Sequence, residues 1–257
     1  EPSGRNAAPG SPGRVRHRRG AHVTDGPEPR SALGARIDAA CVVAFALAWP
    51  LTLMVLVRGA GLAPAGLALA GLAIPGVFGA DLAAGLFHWF ADTFFTPRTP
   101  VIGATLIRSF RDHHTWPRAI AESSAVVASG QNCLACVGLL GLALLFDPAS
   151  LVGCLVLAFL LVLTAGIAAT NLFHRWAHAE SVGPRIASLQ RAGWILSPER
   201  HALHHSGRHD RAYCVTTGWL NPWLDAIGFF PRLERAIRRL VPRAAPPPRV
   251  RPGDGLR

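Results

Sequence analysis

The chain has 257 residues, half of them apolar, and a positive mean hydropathy of +0.29, yet its formal net charge is +11. A soluble domain rarely combines these properties, and here they are separated along the sequence, because charge-free blocks alternate with arginine-rich segments that contain no lysine. The composition argues against a soluble globular protein. We also find no nucleic-acid-binding module that would explain the basic surplus.

Both ends of the sequence are rich in Pro, Gly and Arg and poor in apolar residues. Such segments cannot bury a core, so residues 1–35 and 241–257 are predicted to be disordered. His17 and His22 fall in the first of them, and we expect them to be solvated and without a role. The folded domain is therefore predicted to span residues 36–240.

Four blocks lack any charged residue and are long enough, as helices, to cross a hydrocarbon core of roughly 30 Å. They are Ala39–Val57, Gly59–Ala80, Ser123–Phe146 and Pro148–Phe173. A large soluble helical core is the alternative, but its helices would show a periodic polar face, which these blocks lack. We predict an all-α, multi-pass membrane protein with about four transmembrane helices.

Arginine also predicts the orientation of these spans. It is frequent before the first span, between spans two and three, and after span four, whereas the other two connections contain only Arg58. The positive-inside rule then places both termini and the middle loop in the cytoplasm. The absence of lysine, with abundant Ala, Arg and Gly, is typical of a GC-rich bacterial genome, so we expect a bacterial cytoplasmic membrane.

Nine of the eleven histidines fall on the predicted cytoplasmic side of the membrane. They are His88, His113, His114, His174, His178, His201, His204, His205 and His209. A single histidine at a helix end is usually a hydrogen-bonding residue at the membrane surface. For the whole set a bound cation is the simpler reason, because clustered imidazoles repel when protonated and lose solvation when buried.

Helical spacing supports a shared metal site. His174 and His178 are four residues apart, as are His88 and Asp92, so each pair projects from one helix face. The motif HALHH, residues 201–205, places its three histidines on one helical turn. Asp81 lies seven residues before His88 at the end of an apolar span, where a lone charge is costly, so we predict that it supports a ligand histidine.

The ligand type alone does not identify the metal, because imidazole binds zinc, copper and iron. A single zinc needs only about four ligands, whereas eight histidines and an aspartate suffice for two ions. The HExxH motif of zinc proteases is absent. Two iron ions that activate O2 are favoured, since they can break the unactivated C–H bonds of a lipid chain.

Several segments resemble the Kua family of lipid desaturases, which includes plasmanylethanolamine desaturase. The resemblance covers roughly residues 81–234 and rests on HWFADTF, RDHHTWP, FHRWAH, HALHHSGRHDRAYCVTTGWLNPWLD and FFPRLE. It implies a helical membrane protein with a histidine-rich di-iron centre. It also implies dehydrogenation of a lipid chain with O2 and with electrons from a cytochrome b5 or ferredoxin type donor.

By position, the resemblance implies a set of nine metal ligands. They are His88, Asp92, His113, His114, His174, His178, His201, His204 and His205. His209 takes a supporting role or none. The chain departs from the family pattern outside this set: Arg208 replaces a proline, Ala212 a tyrosine, Trp116 an acidic residue and Ser129 an asparagine. These departures leave the lipid substrate open.

The sequence therefore predicts a membrane lipid desaturase, with an ether phospholipid as the expected substrate and the vinyl ether of a plasmalogen as its product. A fatty-acyl desaturase or a hydroxylase with the same centre is the alternative within enzymes. A histidine-rich metal carrier is the alternative in another class, but it requires polar residues in mid-membrane that these spans lack. An inactive relative is disfavoured by the intact histidine set.

Overall fold

The computed structural model describes residues 30–240. The segments predicted to be disordered, 1–35 and 241–257, lie outside this range, apart from residues 30–35. There the first helix already begins at Ala32, four residues before the predicted start of the folded domain. His17 and His22 also lie outside the described residues.

Every regular element in residues 30–240 is helical, as the sequence predicts. The α-helices are α1 (Ala32–Ala60), α2 (Leu62–Phe94), α3 (Arg108–Thr115), α4 (Ala119–Glu122), α5 (Ala125–Ala143), α6 (Leu151–His178), α7 (Pro184–Arg191), α8 (Pro198–His205), α9 (Asn221–Ala226) and α10 (Phe229–Leu240). A π-helical turn, Gly103–Ile107, precedes α3.

The four predicted membrane spans are confirmed as α1, α2, α5 and α6, which are long and apolar enough to cross a membrane. Because successive spans run in opposite directions, the start of α1, the connection between α2 and α5, and everything after α6 lie at one end of the bundle. We call this end, formed by residues 30–38, 81–124 and 171–240, the histidine end.

Small residues allow the membrane helices to approach closely. A Cβ atom added at Gly76 of α2 would lie 2.6 Å from Val162 Cγ1 of α6, and one added at Gly166 of α6 would lie 2.5 Å from Ala80 Cβ. Trp49 Nε1 of α1 donates a hydrogen bond of 2.9 Å to Leu161 O of α6. These contacts bury small residues and satisfy polar groups inside the bundle, as helix association in lipid requires.

Helices α2 and α6 extend beyond the hydrocarbon core at the histidine end. At a rise of 1.5 Å per residue, α2 is about 50 Å long and α6 about 42 Å, whereas the hydrocarbon core is roughly 30 Å. The apolar blocks predicted from sequence end at Ala80 and Phe173, but the helices continue to Phe94 and His178. Their polar ends therefore project from the membrane and carry four of the predicted metal ligands.

Polar contacts fix the projecting end of α6 against α5. Asn171 Nδ2 donates to Ala128 O at 2.7 Å, and Asn132 Nδ2 donates to Ile167 O at 2.9 Å. Arg175 Nε donates to Ser123 O at 2.9 Å. Since each bond joins a side chain to a backbone carbonyl of the other helix or of a residue just before α5, the end of α6 that carries His174 and His178 is held in a defined position.

Residues 212–220 form a non-helical segment that runs back along α2, which we call the return segment. Its Cys214 packs against Gly85, where an added Cβ would lie only 2.6 Å from Cys214 Sγ. Thr216 Oγ1 lies 2.7 Å from Thr170 Oγ1 of α6. Residues 212–217 are buried in the protein, and irregular backbone is tolerated near a membrane when it is covered in this way.

Candidate metal centre

Four separate elements bring the predicted ligands to one place at the histidine end. Helix α2 supplies His88 and Asp92, and α6 supplies His174 and His178. Helices α3 and α8, which lie outside the spans, supply His113, His114, His201, His204 and His205.

Local contacts explain why α3 and α8 take these positions. Arg111 of α3 is buried, and its Nη2 donates a hydrogen bond of 2.7 Å to Phe95 O just after α2. Helix α8 begins at an N-cap, Ser197, whose side chain accepts from the N–H of Arg200, and Pro198 occupies the first turn. Both helices are short, so their histidines lie within about two turns of a fixed anchor.

The first cluster contains five histidines whose nearest ring nitrogens all lie within 4.8 Å of one another. They are His113, His174, His178, His201 and His205. The centre is His201 Nε2, which lies 2.9 Å from His174 Nε2 and 2.8 Å from His178 Nε2. His205 Nε2 lies 2.9 Å from the same atom.

This geometry fits a bound metal ion better than it fits hydrogen bonding. A ring nitrogen carries one hydrogen or one lone pair, so His201 Nε2 can bond with only one of the three Nε2 atoms around it. Two imidazole nitrogens that bind one ion at 2.0–2.1 Å and at right angles are about 2.9 Å apart. A cation shared by these nitrogens therefore accounts for contacts that hydrogen bonds cannot.

The second cluster contains His88, His113, His114 and His204, again with ligand nitrogens within 4.8 Å of one another. Asp92 Oδ2 borders it, 3.0 Å from His114 Nε2 and 3.4 Å from His88 Nε2. His113 belongs to both clusters, so the two candidate metal positions are adjacent.

Backbone carbonyls define how two rings of the second cluster are oriented. His88 Nδ1 lies 3.3 Å from Tyr213 O, and His204 Nδ1 lies 2.8 Å from Arg211 O. Because a carbonyl only accepts, both Nδ1 atoms must carry the hydrogen, and the Nε2 lone pairs face the cluster. Both Nε2 atoms are buried and have no hydrogen-bond partner, which is the state expected of metal ligands.

Burial also prepares the histidines outside the spans to bind metal. Desolvation, with repulsion from neighbouring imidazoles, lowers the pKa of His113 and His201 well below the ordinary value of 6.5. Burial likewise lowers the pKa of His114, although Asp92 opposes the shift, and of His205. Neutral imidazole is the form that binds metal, so these rings are ready to act as ligands at neutral pH.

Two further predicted residues lie around the clusters. His209 forms a third group with His114 and His205. Asp81 contacts the return segment instead of a histidine ring: its Oδ1 accepts from the N–H groups of Thr216, Thr217 and Gly218 at 2.8–3.2 Å. Its Oδ2 accepts from Leu220 N at 3.2 Å. Asp81 thus acts on the site through the backbone that contacts His88.

Sequence reasoning missed two backbone contacts that support the site from the return segment and the loop before it. Tyr213 and Arg211 contribute through backbone carbonyls, which leave no side-chain signature. His209 and Ala212 adopt left-handed backbone conformations, with φ of 52° and 54°, which are costly for residues other than glycine. The one available signal was Tyr213, the only tyrosine in the chain, whose hydroxyl donates to His209 O at 2.9 Å.

A narrow pocket leads to the second cluster. It has a volume of about 20 Å3, room for about one water-sized molecule, and its lining includes Asp92, Thr93, His114 and Tyr213. Thr93 Oγ1 is buried and has no hydrogen-bond partner. The pocket can therefore admit a small polar or diatomic molecule but not a lipid chain.

Fold and site together define a class: a helical membrane protein whose projecting helix ends hold two adjoining histidine clusters that can bind metal. Residues 77–246 match the profile of the lipid desaturase domain family. This match covers more than half of the chain, which belongs to that family.

Curated relatives agree with this assignment. The chain is 38% identical over 164 residues to plasmanylethanolamine desaturase from Myxococcus xanthus, a match that covers 63% of this chain and 58% of the relative. It is 38% identical over 178 residues to plasmanylethanolamine desaturase 1 from Mus musculus, which covers 66% of each. It is 34% identical over 160 residues to the chloroplastic fatty acid desaturase 4 from Arabidopsis thaliana, which covers 60% of this chain and 47% of the relative.

The matches to the first two of these relatives span 58% and 66% of the relatives' own lengths. No solved structure matches this chain significantly.

Proposed function

We propose that the chain is an O2-dependent membrane lipid desaturase with a di-iron centre. The observation that carries the proposal is the pair of histidine clusters joined at His113. When bound, two iron ions would supply the activation of O2 that removal of an unactivated hydrogen requires. Overall, a CH2–CH2 unit of the lipid loses two hydrogens and becomes CH=CH. Dioxygen accepts these two hydrogens together with two electrons from a donor and two protons, and is reduced to two water molecules.

The residues of this chain hold and orient the reacting groups. His174, His178, His201 and His205 would hold one ion, and His88, His114 and His204 the other, with His113 between them. Asp92, which is only 9% exposed, would balance the charge of the ion in the second cluster or bind that ion directly. Burial of most of these rings excludes water, which protects a reactive site from side reactions.

We propose an ether phospholipid as the substrate, with a plasmalogen vinyl ether as the product. Support comes from the similarity to the plasmanylethanolamine desaturases of Myxococcus xanthus and Mus musculus, and from the position of the clusters just beyond the membrane spans. The similarity to a chloroplastic fatty acid desaturase makes an acyl chain of a phospholipid the alternative substrate. Hydroxylation at the same centre is the alternative reaction.

Electrons are proposed to come from a cytochrome b5 or ferredoxin type protein. Helix α10 at the histidine end exposes Arg232, Arg235 and Arg239, a basic surface that suits an acidic redox partner. The arginine distribution further supports a cytoplasmic location for the histidine end and both termini in a bacterial cytoplasmic membrane. Fusion of a reporter enzyme to the connection between α5 and α6 tests this orientation, which requires the connection to face the outer side of the membrane.

Lipid analysis tests the function directly. We expect a bacterium that makes alkyl-ether phosphatidylethanolamine to gain acid-labile vinyl ethers when it expresses this chain, and the purified protein to contain about two irons. His201→Ala should abolish the product, whereas Cys41→Ala, which alters a thiol of α1 that packs among apolar residues of α5 and α6, should not. One zinc and no iron in an active preparation would contradict the proposal, and new acyl double bonds without vinyl ethers would select the alternative substrate.

A further inference from the structure

A second cavity lies on the other side of α8 from the metal clusters, between α2, α8 and the return segment. It has a volume of about 420 Å3 and is lined by Phe78, Arg200, Gly218, Trp219, Leu220, Pro222 and Trp223. This volume falls in the range of small-molecule binding sites. We call it the interfacial cleft.

Arg200 gives the interfacial cleft a fixed positive charge. Its Nη1 donates to Gly193 O at 3.2 Å and to Thr217 O at 3.0 Å, so the plane of the guanidinium is set by two carbonyls. Within residues 30–240, Nε and Nη2 of Arg200 make no hydrogen bond, and no carboxylate forms an ion pair with it. The guanidinium is therefore oriented in advance and keeps two donor atoms for an anionic ligand such as a phosphate.

The depth of the cleft indicates where that phosphate comes from. Counted from Leu62, about twenty residues of α2 cross a hydrocarbon core of roughly 30 Å, which places Phe78 next to the membrane surface at the histidine end. Trp223 is 74% exposed and Trp194 is 59% exposed. The rings of Trp219 and Phe78 are 5.8 Å apart. Exposed tryptophans at this level are typical of the membrane–water interface, where lipid headgroups lie.

The cleft and the metal clusters share their walls. Arg200 and His201 are neighbours on α8 and project in directions about 100° apart, so one faces the cleft and the other faces the first cluster. The return segment forms the opposite wall: Gly218 and Leu220 line the cleft and are hydrogen-bonded to Asp81. The same segment reaches His88 through Tyr213 O.

We propose that the interfacial cleft binds the glycerophosphate portion of a membrane phospholipid, with the phosphate on Nε and Nη2 of Arg200 and the glycerol against Trp223. The further statement that this lipid is the substrate rests on the proposed function. In that case the cleft holds the headgroup beside the metal centre and favours reaction at chain carbons close to the glycerol.

Native mass spectrometry of the delipidated full-length protein in detergent tests the binding site without turnover. The probe is an alkyl-acyl phosphatidylethanolamine, compared with the alkyl-acyl glycerol that has the same chains but no phosphate. We expect one phospholipid to bind at least tenfold more tightly than the phosphate-free lipid. Arg200→Gln should remove this preference and weaken phospholipid binding at least tenfold. The matched control, Arg191→Gln on exposed α7, should bind as the wild type does.

A second pair of variants keeps the test decisive if Arg200→Gln misfolds. The metal content of each purified protein shows whether it is folded. Trp223→Ala, at an exposed side chain, should weaken phospholipid binding severalfold with full metal content, whereas Trp194→Ala, outside the cleft lining, should not. If Arg200→Gln loses its metal, the comparison of Trp223→Ala with Trp194→Ala decides whether the cleft binds the phospholipid. Equal binding of both lipids by the wild type, or wild-type binding by Trp223→Ala, overturns the proposal. The proposal is also overturned if Arg200→Gln weakens the docking of an acidic redox protein but binds the phospholipid as the wild type does.

The two proposals fail separately. If the phospholipid binds as expected but no lipid is desaturated, the proposed function is wrong and the interfacial cleft stands. If vinyl ethers form at the normal rate in the Arg200→Gln and Trp223→Ala variants, the enzyme assignment stands and the cleft is not the substrate site.

Discussion

His88 Nδ1 lies 3.3 Å from the carbonyl oxygen of Tyr213, although 125 residues separate them in the chain. This contact fixes the His88 hydrogen on Nδ1 and turns the Nε2 lone pair toward the second cluster. Tyr213 is held in position in turn, because Thr216, three residues further along the return segment, donates its N–H to Asp81 Oδ1. The orientation of one candidate ligand therefore depends on a carboxylate that touches no ligand ring.

The Asp81 carboxylate is expected to be essential for stability and for the second metal position. Asp81→Ala leaves the backbone N–H groups of Thr216, Thr217, Gly218 and Leu220 without their acceptor, and each buried unsatisfied group costs about 1–3 kcal/mol. We expect a loss of at least about 3 kcal/mol in the free energy of unfolding and reduced metal content, measured by thermal unfolding in detergent and by metal analysis. Asp81→Asn, which keeps an acceptor oxygen, should lose less.

Asp147→Asn provides the comparison for this prediction, because Asp147 is exposed in the connection between α5 and α6 at the opposite end of the bundle. It should unfold at the wild-type temperature with full metal content. Wild-type stability in Asp81→Ala would show that the return segment does not depend on this carboxylate.

His201 and His209 are expected to differ sharply although both belong to the same histidine-rich stretch. His201 Nε2 contacts three other Nε2 atoms of the first cluster, so His201→Ala removes its central ligand. We expect the variant to lose about one metal ion per chain and at least a hundredfold in activity. His209→Ala should keep both ions and lose less than tenfold in activity. The reverse order would place the first metal position near His209 instead.

The membrane fold could be predicted from the sequence because its signal is local. An uninterrupted apolar block must be long enough to span lipid, and that property is read without knowing any partner. The convergence of the histidines could be predicted for a related reason. Four antiparallel spans leave the ends of α2 and α6 on the same side, and the spacing of His174 and His178 places both on one helix face.

The support of the site could not be predicted, because it depends on contacts between distant backbone atoms. Hydropathy indicates that the Asp81 carboxylate needs a partner, but its donors are backbone N–H groups some 135 residues away. Any residue except proline supplies such a group, so no sequence pattern marks them. The division of the ligands into two clusters that share His113 depends on how α3 and α8 dock, which spacing does not determine.

The stability of the metal-free protein is expected to fall in mild acid. The pKa values of His113 and His201 are lowered by burial well below 6.5, so between their folded pKa and 6.5 the unfolded chain binds more protons than the folded one. Stability therefore rises with pH in that window, is complete above 6.5 and is lost as pH falls. Each such group contributes up to about 1.4 kcal/mol per pH unit.

Thermal unfolding of the apo protein between pH 7.5 and 5.0 checks this prediction. We expect a steep decrease below pH 6.5 and a shallower one in His113→Asn, which removes one buried imidazole. A melting temperature that does not change with pH would mean that these rings take up protons in the folded state, and therefore that the site is more open than its geometry indicates.

Gly85 is expected to tolerate no side chain, because the return segment crosses α2 at this residue. A Cβ atom there would lie 2.6 Å from Cys214 Sγ and 3.2 Å from the Cys214 backbone. Gly85→Ala should displace the return segment, lower the melting temperature and reduce metal content through Tyr213. Gly85→Ala combined with Cys214→Ala should recover only part of the loss, since the backbone contact remains.

Gly66→Ala on the same helix, with nothing within 4 Å of the new Cβ, should be neutral or slightly stabilising. If Gly85→Ala behaves like Gly66→Ala, the close packing of the return segment on α2 is not what positions His88.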